Sequence, residues 1–320
     1  MQQKHITQMN EFSRHKQPFV ALISFDTPEN DMVCALKDAK KQGISFRFQA
    51  AQSASKQRLH YALNTFPVAF SVYQQAFKRV KQYIKNGECY LFNLCFPTPI
   101  QTDLSLKQIY QYSSAPLVLM LKNQFVCFTP EKFVTIKKGK ITTYPMKGTI
   151  NAKLKNAKKI LRKDEKELSE QTLITDLMRN DINKVTHGAK VEKFRYFEKI
   201  HTKKGAIWQT SSKISGSLKT HYAENLGDLF ANLLPAGSIT GTPKRRVCQL
   251  IEQIEHHKRG FYTGVFIHYD GKVCKSFVLI RFVGQNADGQ LYFFSGGGIT
   301  VDSKAKKEFN ELKAKTYFTF

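Results

Sequence analysis

Residues 116–149 read PLVLMLKNQFVCFTPEKFVTIKKGKITTYPMKGT. Four strand-like runs, 116–122, 124–128, 132–137 and 140–144, follow one another with only short breaks between them. Such breaks leave no room for a crossover helix, so neighbouring strands are expected to be antiparallel. Further strands are predicted at 18–25, 88–96, 261–269, 273–282 and 290–295, with Asp270-Gly271 as a hairpin turn. Helices alternate with them. Over 66–85, Phe66, Phe70, Tyr73, Phe77, Val80 and Ile84 recur at spacings of three and four, and Gly87 follows as a stop. A helix over 164–180 has Asp164 as N-cap and Glu167 three residues on. Others are expected over 243–258, opened by Pro243, and over 302–317. Antiparallel strands interleaved with helices predict a layered α+β (α/β layered) fold and not a Rossmann unit.

The 320 residues carry 50 Lys+Arg against 25 Asp+Glu, a formal charge of +25. That balance raises nucleic acid as a partner. However, 39 of the cations are Lys and only 11 are Arg, the residue better suited to bidentate phosphate and base recognition. Dispersed Lys reads as a solvated surface, so no nucleic-acid partner is expected. The content is 42% hydrophobic and 12% aromatic, enough for a packed core. The start, MQQKHITQMNEFSRHKQ, has no apolar core of a secretory leader, and no run approaches a membrane span. Cys34, Cys89, Cys95, Cys127, Cys248 and Cys274 form no CxxC pair and read as reduced thiols of a cytoplasmic protein.

Four local features can carry chemistry. Lys147, between Pro145-Met146 and Gly148-Thr149, is read on a turn from which its amine projects into a cleft. Desolvation or a neighbouring cation makes such an amine a nucleophile. Glu167 and Glu170 share one helix face, as do Glu308 and Glu311, with Lys315 four residues later. Two helices offering such pairs suit a hard cation such as Mg²⁺. The glycine-rich segments 235–244 and 295–298 are read as anion-holding turns. Arg281 closes the apolar run SFVLI, where its fork suits a carboxylate.

In order along the chain, TPEKF (129–133), YPMKGT (144–149), ELSEQTLITDLMRND (167–181), LLPAGSITGTPKRR (233–246), RGFYTG (259–264), LIR (279–281), SGGGITVDS (295–303) and EFNELKAK (308–315) resemble the chorismate-utilising enzymes. That family includes the anthranilate, aminodeoxychorismate, isochorismate and salicylate synthases. The resemblance covers roughly 85–320, leaving about 1–84 as a reduced N-terminal part of one chorismate-binding domain. It implies two mainly antiparallel β-sheets packed together with flanking helices.

Within the family, Lys147 resembles the lysine-type aminodeoxychorismate synthases, component I; anthranilate synthases usually carry Ala there. The resemblance implies Mg²⁺ held by Glu170 and Glu311, with Glu167 and Glu308 as outer or alternate ligands. It implies Lys147 as the nucleophile at C2 of chorismate and Glu131 as the acid that protonates the departing C4 hydroxyl. Ammonia would then attack C4 and displace the lysine from C2. Thr149, Ser238, Tyr262, Arg281, Gly297, Gly298 and Lys315 would hold the substrate's carboxylates and hydroxyls. The implied product is 4-amino-4-deoxychorismate for folate synthesis. No Cys-His-Glu amidotransferase module is visible, so ammonia is expected from a glutamine amidotransferase subunit.

Some positions depart from the family. Leu91 stands where many amine-using relatives carry Gln and water-using ones carry Lys. Gln209 falls where a family His serves later steps, and Tyr144 where Arg is frequent. The alternatives are anthranilate synthase component I and, from another class, a basic nucleic-acid-binding protein.

Overall fold

The structure, a computed structural model, describes residues 1–48, 60–202 and 205–320. Its first elements are α1 (Gln3–Arg14), β1 (Phe19–Ile23), β2 (Met32–Ala35), β3 (Ile44–Phe48), β4 (Leu63–Thr65), α2 (Phe70–Lys85) and β5 (Leu91–Thr102). Then come α3 (Leu106–Tyr112), β6 (Leu117–Leu121), β7 (Phe125–Thr129), β8 (Lys132–Lys137), β9 (Lys140–Thr143), β10 (Met146–Asn151), α4 (Ala157–Lys163) and α5 (Glu165–Val185). The rest runs through β11 (Thr186–Thr202), β12 (Gly205–Leu218), α6 (Thr220–Glu224), α7 (Leu226–Leu233), β13 (Gly241–Thr242) and α8 (Lys244–Ile254). It ends with β14 (Val265–Tyr269), β15 (Val273–Val278), β16 (Phe282–Gln285), β17 (Leu291–Ile299) and α9 (Ala305–Ala314).

The layered α+β expectation holds. One sheet has nine strands in the order β10-β12-β9-β8-β15-β14-β1-β2, with β11 added to β12. The other has eight, β13-β5-β17-β16-β7-β6-β3, with β4 added to β5. The described pairings are antiparallel throughout.

Strand β1 shows how the layers form. Its side chains alternate between faces, as the two-residue period requires. Phe19, Ala21 and Ile23 join Met9 of α1, Ile174 and Met178 of α5, and Leu229 and Phe230 of α7. Val20 and Leu22 join Leu119, Cys127 and Phe282 of the other sheet. Both faces are therefore buried, at about 1.5–3 kcal/mol for each large apolar side chain. On the outer face of the eight-stranded sheet, α2, α8 and α9 pack over β5.

Several boundaries differ from the sequence reading, each for a local reason. Helix α2 starts at Phe70, not 66, because Pro67 disfavours helix at Phe66. The predicted strand 273–282 is two strands: β15 stops at Val278, and the chain crosses to the other sheet before Phe282. Arg281 sits in that crossing with φ 54°, a left-handed backbone outside the extended range of a regular strand. The segment 295–298 is not a turn but part of β17, paired with β5 from Phe96 to Asn93. Nor is Lys147 on a simple turn. It lies on β10, whose register against β12 shifts between Lys147 and Thr149. Strands β11 and β12 escaped the reading because neither alternates cleanly: Lys190, Lys193 and Lys199 punctuate β11, and the polar run 209–213 interrupts β12.

The N-terminal residues are integral to both sheets. β1 lies between β14 and β2, and β3 pairs with β6. All six cysteines are free, and four of them are buried. No described helix is long and apolar enough to cross a membrane.

Candidate active site

A cleft of roughly 550 Å³ opens where β10, α5, β17 and α9 meet. Lys147, Glu131, Glu170, Glu311, Glu167 and Glu308 all line it. So do Thr149, Ser238, Tyr262, Arg281, Gly297, Gly298 and Lys315. Residues far apart in sequence are thus brought to one space.

The β10 wall is fixed from three directions. Gly148 takes φ +73°, and a β-carbon there would press on the Glu167 carboxylate at 3.0 Å and Leu161 at 3.1 Å. Only glycine suits that bulge. Thr210 Oγ1 donates to the carbonyl of Lys147. Buried Gln171 of α5 donates to the Pro145 carbonyl at 3.1 Å and to Ser212 at 2.7 Å. These bonds set the height of α5 beside Lys147. Asp164 caps α5 by accepting from the Glu167 N–H at 3.0 Å, so that helix begins where the sequence predicts.

The opposite wall is β17. A β-carbon on Gly296 would lie 2.5 Å from Cys95 Sγ. The spaces beside Gly297 and Gly298 instead open onto the site. A β-carbon on Gly297 would lie 3.7 Å from Glu308 Oε2, and one on Gly298 would lie 3.6 Å from Lys147 Nζ and 3.9 Å from Glu170 Oε2. The glycines therefore keep the floor low between the two carboxylate-bearing helices.

Charges interlock across the cleft. Lys147 Nζ is 3.5 Å from Glu170 Oε2. Lys166 Nζ lies 3.5 Å from Glu170 Oε1 and 3.2 Å from Glu308 Oε1. Lys315 Nζ lies 2.8 Å from Glu311 Oε1 and donates to the Gly296 carbonyl at 2.7 Å. Arg281 Nη1 donates to the Lys315 carbonyl at 3.0 Å, while its guanidinium stacks on Tyr317.

The carboxyl groups are not equivalent. Burial pushes Glu131 above its ordinary range, though the Ser238 hydroxyl bond and the charges of Lys147 and Lys315 pull the other way. Glu167 is also raised, by burial and then by the charges of Glu170 and Asp164. Glu311 goes down: burial opposes ionisation, but Lys315, Lys166 and Lys147 together outweigh it. Lys166 is raised, because Glu170 and Glu308 outweigh its burial.

Among the described residues, no three His, Cys, Asp or Glu side chains form a ready-made metal cage. The four-carboxylate cage suggested by the sequence is not pre-assembled, because Lys166 and Lys315 stand among the carboxylates. The donor set still fits Mg²⁺, which takes one or two carboxylates and completes its shell with water and substrate oxygens. Five carboxylates line the cleft against Lys147, Lys166, Arg281 and Lys315. A divalent cation would reverse that local negative balance and ready the cleft for an anionic substrate.

Sequence reading gave no role to three cleft residues. Lys166 has a signal in its place four residues before Glu170 on α5. Asn93 lines the cleft from β5. Gln209 is 9% exposed and its Nε2 has no partner, so it is a spare donor in the cleft wall. Leu91 is buried behind Gly298 and does not line the cleft. Lys244 opens α8, where an anion site was suspected. Its amine instead binds Asp181 at 2.8 Å and the Leu233 carbonyl at 2.8 Å.

A family model described as chorismate binding enzyme matches residues 6–320, so the resemblance extends well before residue 85. The chain is 46% identical to an uncharacterized PabA-like protein of Haemophilus influenzae, covering 98% of this chain and 96% of that one. It is 25% identical to aminodeoxychorismate synthase component 1 of Klebsiella aerogenes, over 93% of this chain and 65% of that protein. A putative 2,3-dihydroxybenzoate-specific isochorismate synthase, DhbC, from Bacillus anthracis superposes with TM-score 0.71. It is 17% identical and covers 98% of this chain and 87% of that one, a likeness of fold alone.

Proposed function

The chain belongs to the chorismate-binding enzymes, and from that premise we propose that it aminates chorismate at C4 as an aminodeoxychorismate synthase component I. The observation that carries this reading is the placement of Lys147. Its amine reaches into the cleft beside Glu170, close enough for its charge to act on the half-buried Glu131. A nucleophilic amine and a carboxyl group biased towards its protonated form are what an allylic displacement of hydroxide requires.

In the first step, the Lys147 nitrogen forms a bond to C2, both ring double bonds shift (C1=C2 to C6=C1 and C5=C6 to C4=C5), and the C4–O bond breaks. Glu131 supplies a proton to the departing hydroxyl, which leaves as water, while the lysine nitrogen, now bonded to C2, carries the positive charge. Ammonia then bonds to C4, both double bonds shift back, the C2–N bond breaks to release Lys147 as a neutral amine, and the new C4 ammonium returns a proton to the Glu131 carboxylate. Overall, chorismate and ammonia give aminodeoxychorismate and water, and the lysine is returned.

Glu170 and Glu311 would hold Mg²⁺, with Glu167 and Glu308 in support. The ion supplies positive charge for a substrate carboxylate. Arg281 and Lys315, linked through the Lys315 carbonyl, would hold the other carboxylate, with the Gly297 and Gly298 backbone and Tyr262 beside them. Thr149 and Ser238 add hydroxyl donors. A glutamine amidotransferase subunit would supply ammonia, and a cytoplasmic setting suits the six free thiols.

The test is purified protein with chorismate, Mg²⁺ and ammonium at alkaline pH, the product being followed by mass. Aminodeoxychorismate supports the reading. Anthranilate formed without an added lyase refutes it.

A further inference from the structure

In the RGFYTG segment, Tyr262 lines the cleft but Arg259 does not, and nothing above gives Arg259 a task. It is nevertheless the largest fully buried side chain among the described residues. Glu255, just past the end of α8, clamps its guanidinium: Nε–Oε2 is 2.8 Å and Nη2–Oε1 is 2.6 Å. Both side chains have no exposure. Phe25 covers the guanidinium at 4.7 Å. A buried pair of this kind is costly to desolvate, so its remaining donors need partners.

Apart from a longer bond from Nη1 to Thr263 Oγ1 at 3.4 Å, those partners belong to the cleft wall. Nη1 donates to the Ile239 carbonyl at 3.0 Å and Nη2 to the Asn93 carbonyl at 2.7 Å. Asn93 Nδ2 donates to the same Ile239 carbonyl at 3.0 Å. Glu255 Oε1 accepts from the Cys95 N–H at 2.9 Å, on the edge of β5 where Pro97 and Pro99 bring no donor. Asp26 accepts the main-chain N–H groups of Arg259 and Gly260 at 3.0 and 2.9 Å. Ile239 follows Ser238, whose hydroxyl donates to Glu131. One guanidinium therefore ties β5, the 237–239 turn and the 259–264 turn into a single unit.

We propose that Arg259 is a positioning residue: clamped by Glu255, it fixes the 237–239 turn on β5 and so holds the Ser238 hydroxyl on Glu131. The inference rests on reading Glu131 as the general acid. The charged groups facing Glu131 are Lys147 and Lys315. Around Arg259 stand Glu255, Asp26, Tyr262 and Cys95, with His257 Nε2 3.8 Å from Glu255 Oε2. Tyr262 shares the cleft with Glu131, and the hydrogen-bonded route from Arg259 to Glu131 runs through the turn.

The test compares pH profiles of kcat/KM for the full chain and for Arg259→Lys, Glu255→Gln, Ser238→Ala and the Ser238→Ala/Arg259→Lys double variant. Ser238 stabilises the Glu131 carboxylate, so losing its bond moves the alkaline limb upward, by about one pH unit. Arg259→Lys and Glu255→Gln are expected to move the limb in the same direction as Ser238→Ala. The double variant should match Ser238→Ala alone. An unmoved limb in folded single variants, or a double shift equal to the sum of the singles, overturns the proposal. Failure of both single variants to fold also overturns it, since Arg259 would then be a residue of the fold and not of the acid. A wild-type protein that does not consume chorismate instead overturns the reading of Glu131.

Discussion

Lys147 Nζ stands 3.5 Å from Glu170 Oε2, so the β10 bulge and the buried face of α5 meet at one ion pair. The contact joins the residue read as nucleophile to a residue read as metal ligand. Metal entry and release of the lysine amine would then be coupled: a cation on Glu170 competes with Lys147 for the same carboxylate.

Lys147→Ala is expected to abolish the covalent adduct and steady-state turnover. Trapping with chorismate and Mg²⁺ in the absence of ammonia, followed by peptide mass mapping, should modify the wild type at Lys147 alone. An adduct on another lysine would remove Lys147 from its role.

Glu170→Ala and Glu311→Ala are each expected to abolish Mg²⁺-dependent turnover. Glu311 is held ionised mainly by Lys315, so its carboxylate is available to a cation down to moderately acidic pH. Calorimetric titration with Mg²⁺ in the presence of chorismate should show the loss directly. Undiminished binding in either variant would exclude that carboxylate from the metal site.

Glu131 connects activity to stability. Its pKa in the folded state is raised above the ordinary 4.5, chiefly by burial. The native state therefore favours the protonated form, and that contribution is fully present below the unfolded pKa. It is lost as pH rises through the folded pKa. Glu131→Gln keeps an acceptor for Ser238 but cannot ionise. It should melt higher than wild type at pH 8, with the difference vanishing below about pH 4. Turnover should fall by about 10²–10⁴-fold. A variant that melts lower at pH 8 would contradict the cost assigned to the buried carboxylate.

The sequence made the site more legible than its scaffold. Residues at fixed spacing on α5 and α9 can be placed on one face by helical period alone, and they do share the cleft. The β10 bulge was hidden because Gly148 reads equally well as a turn residue. Only the β12 partner, with its register shift, distinguishes the two. Lys166 was passed over because, for one lysine of 39, a spacing of four from Glu170 is a weak signal until Glu308 is seen across the cleft. Net charge is equally silent about the site: the chain is strongly basic, yet carboxylates outnumber cations around the cleft.

Gly298→Ala tests the shape of the floor. The backbone permits a side chain, but the β-carbon would lie 3.1 Å from Leu91 Cδ1 and 3.6 Å from Lys147 Nζ. The flexible ends can yield, so the melting temperature should change little. The substrate cannot give way as easily, and KM for chorismate should rise. An unchanged KM would place the ring elsewhere in the cleft.

Lys166→Met addresses the cation that the sequence concealed. Glu308 has 2% of its side chain exposed and Glu170 has 9%, and the Lys166 ammonium lies between them. Methionine keeps the length and apolar stem but removes the charge. Two buried carboxylates then face each other with less compensation, at a cost of about 1–3 kcal/mol. The metal-free variant should melt lower than the wild type. Added Mg²⁺ can replace the missing charge, so it should raise the variant's melting temperature more than the wild type's. Equal shifts in the two proteins would show that Lys166 and the metal do not answer to the same carboxylates.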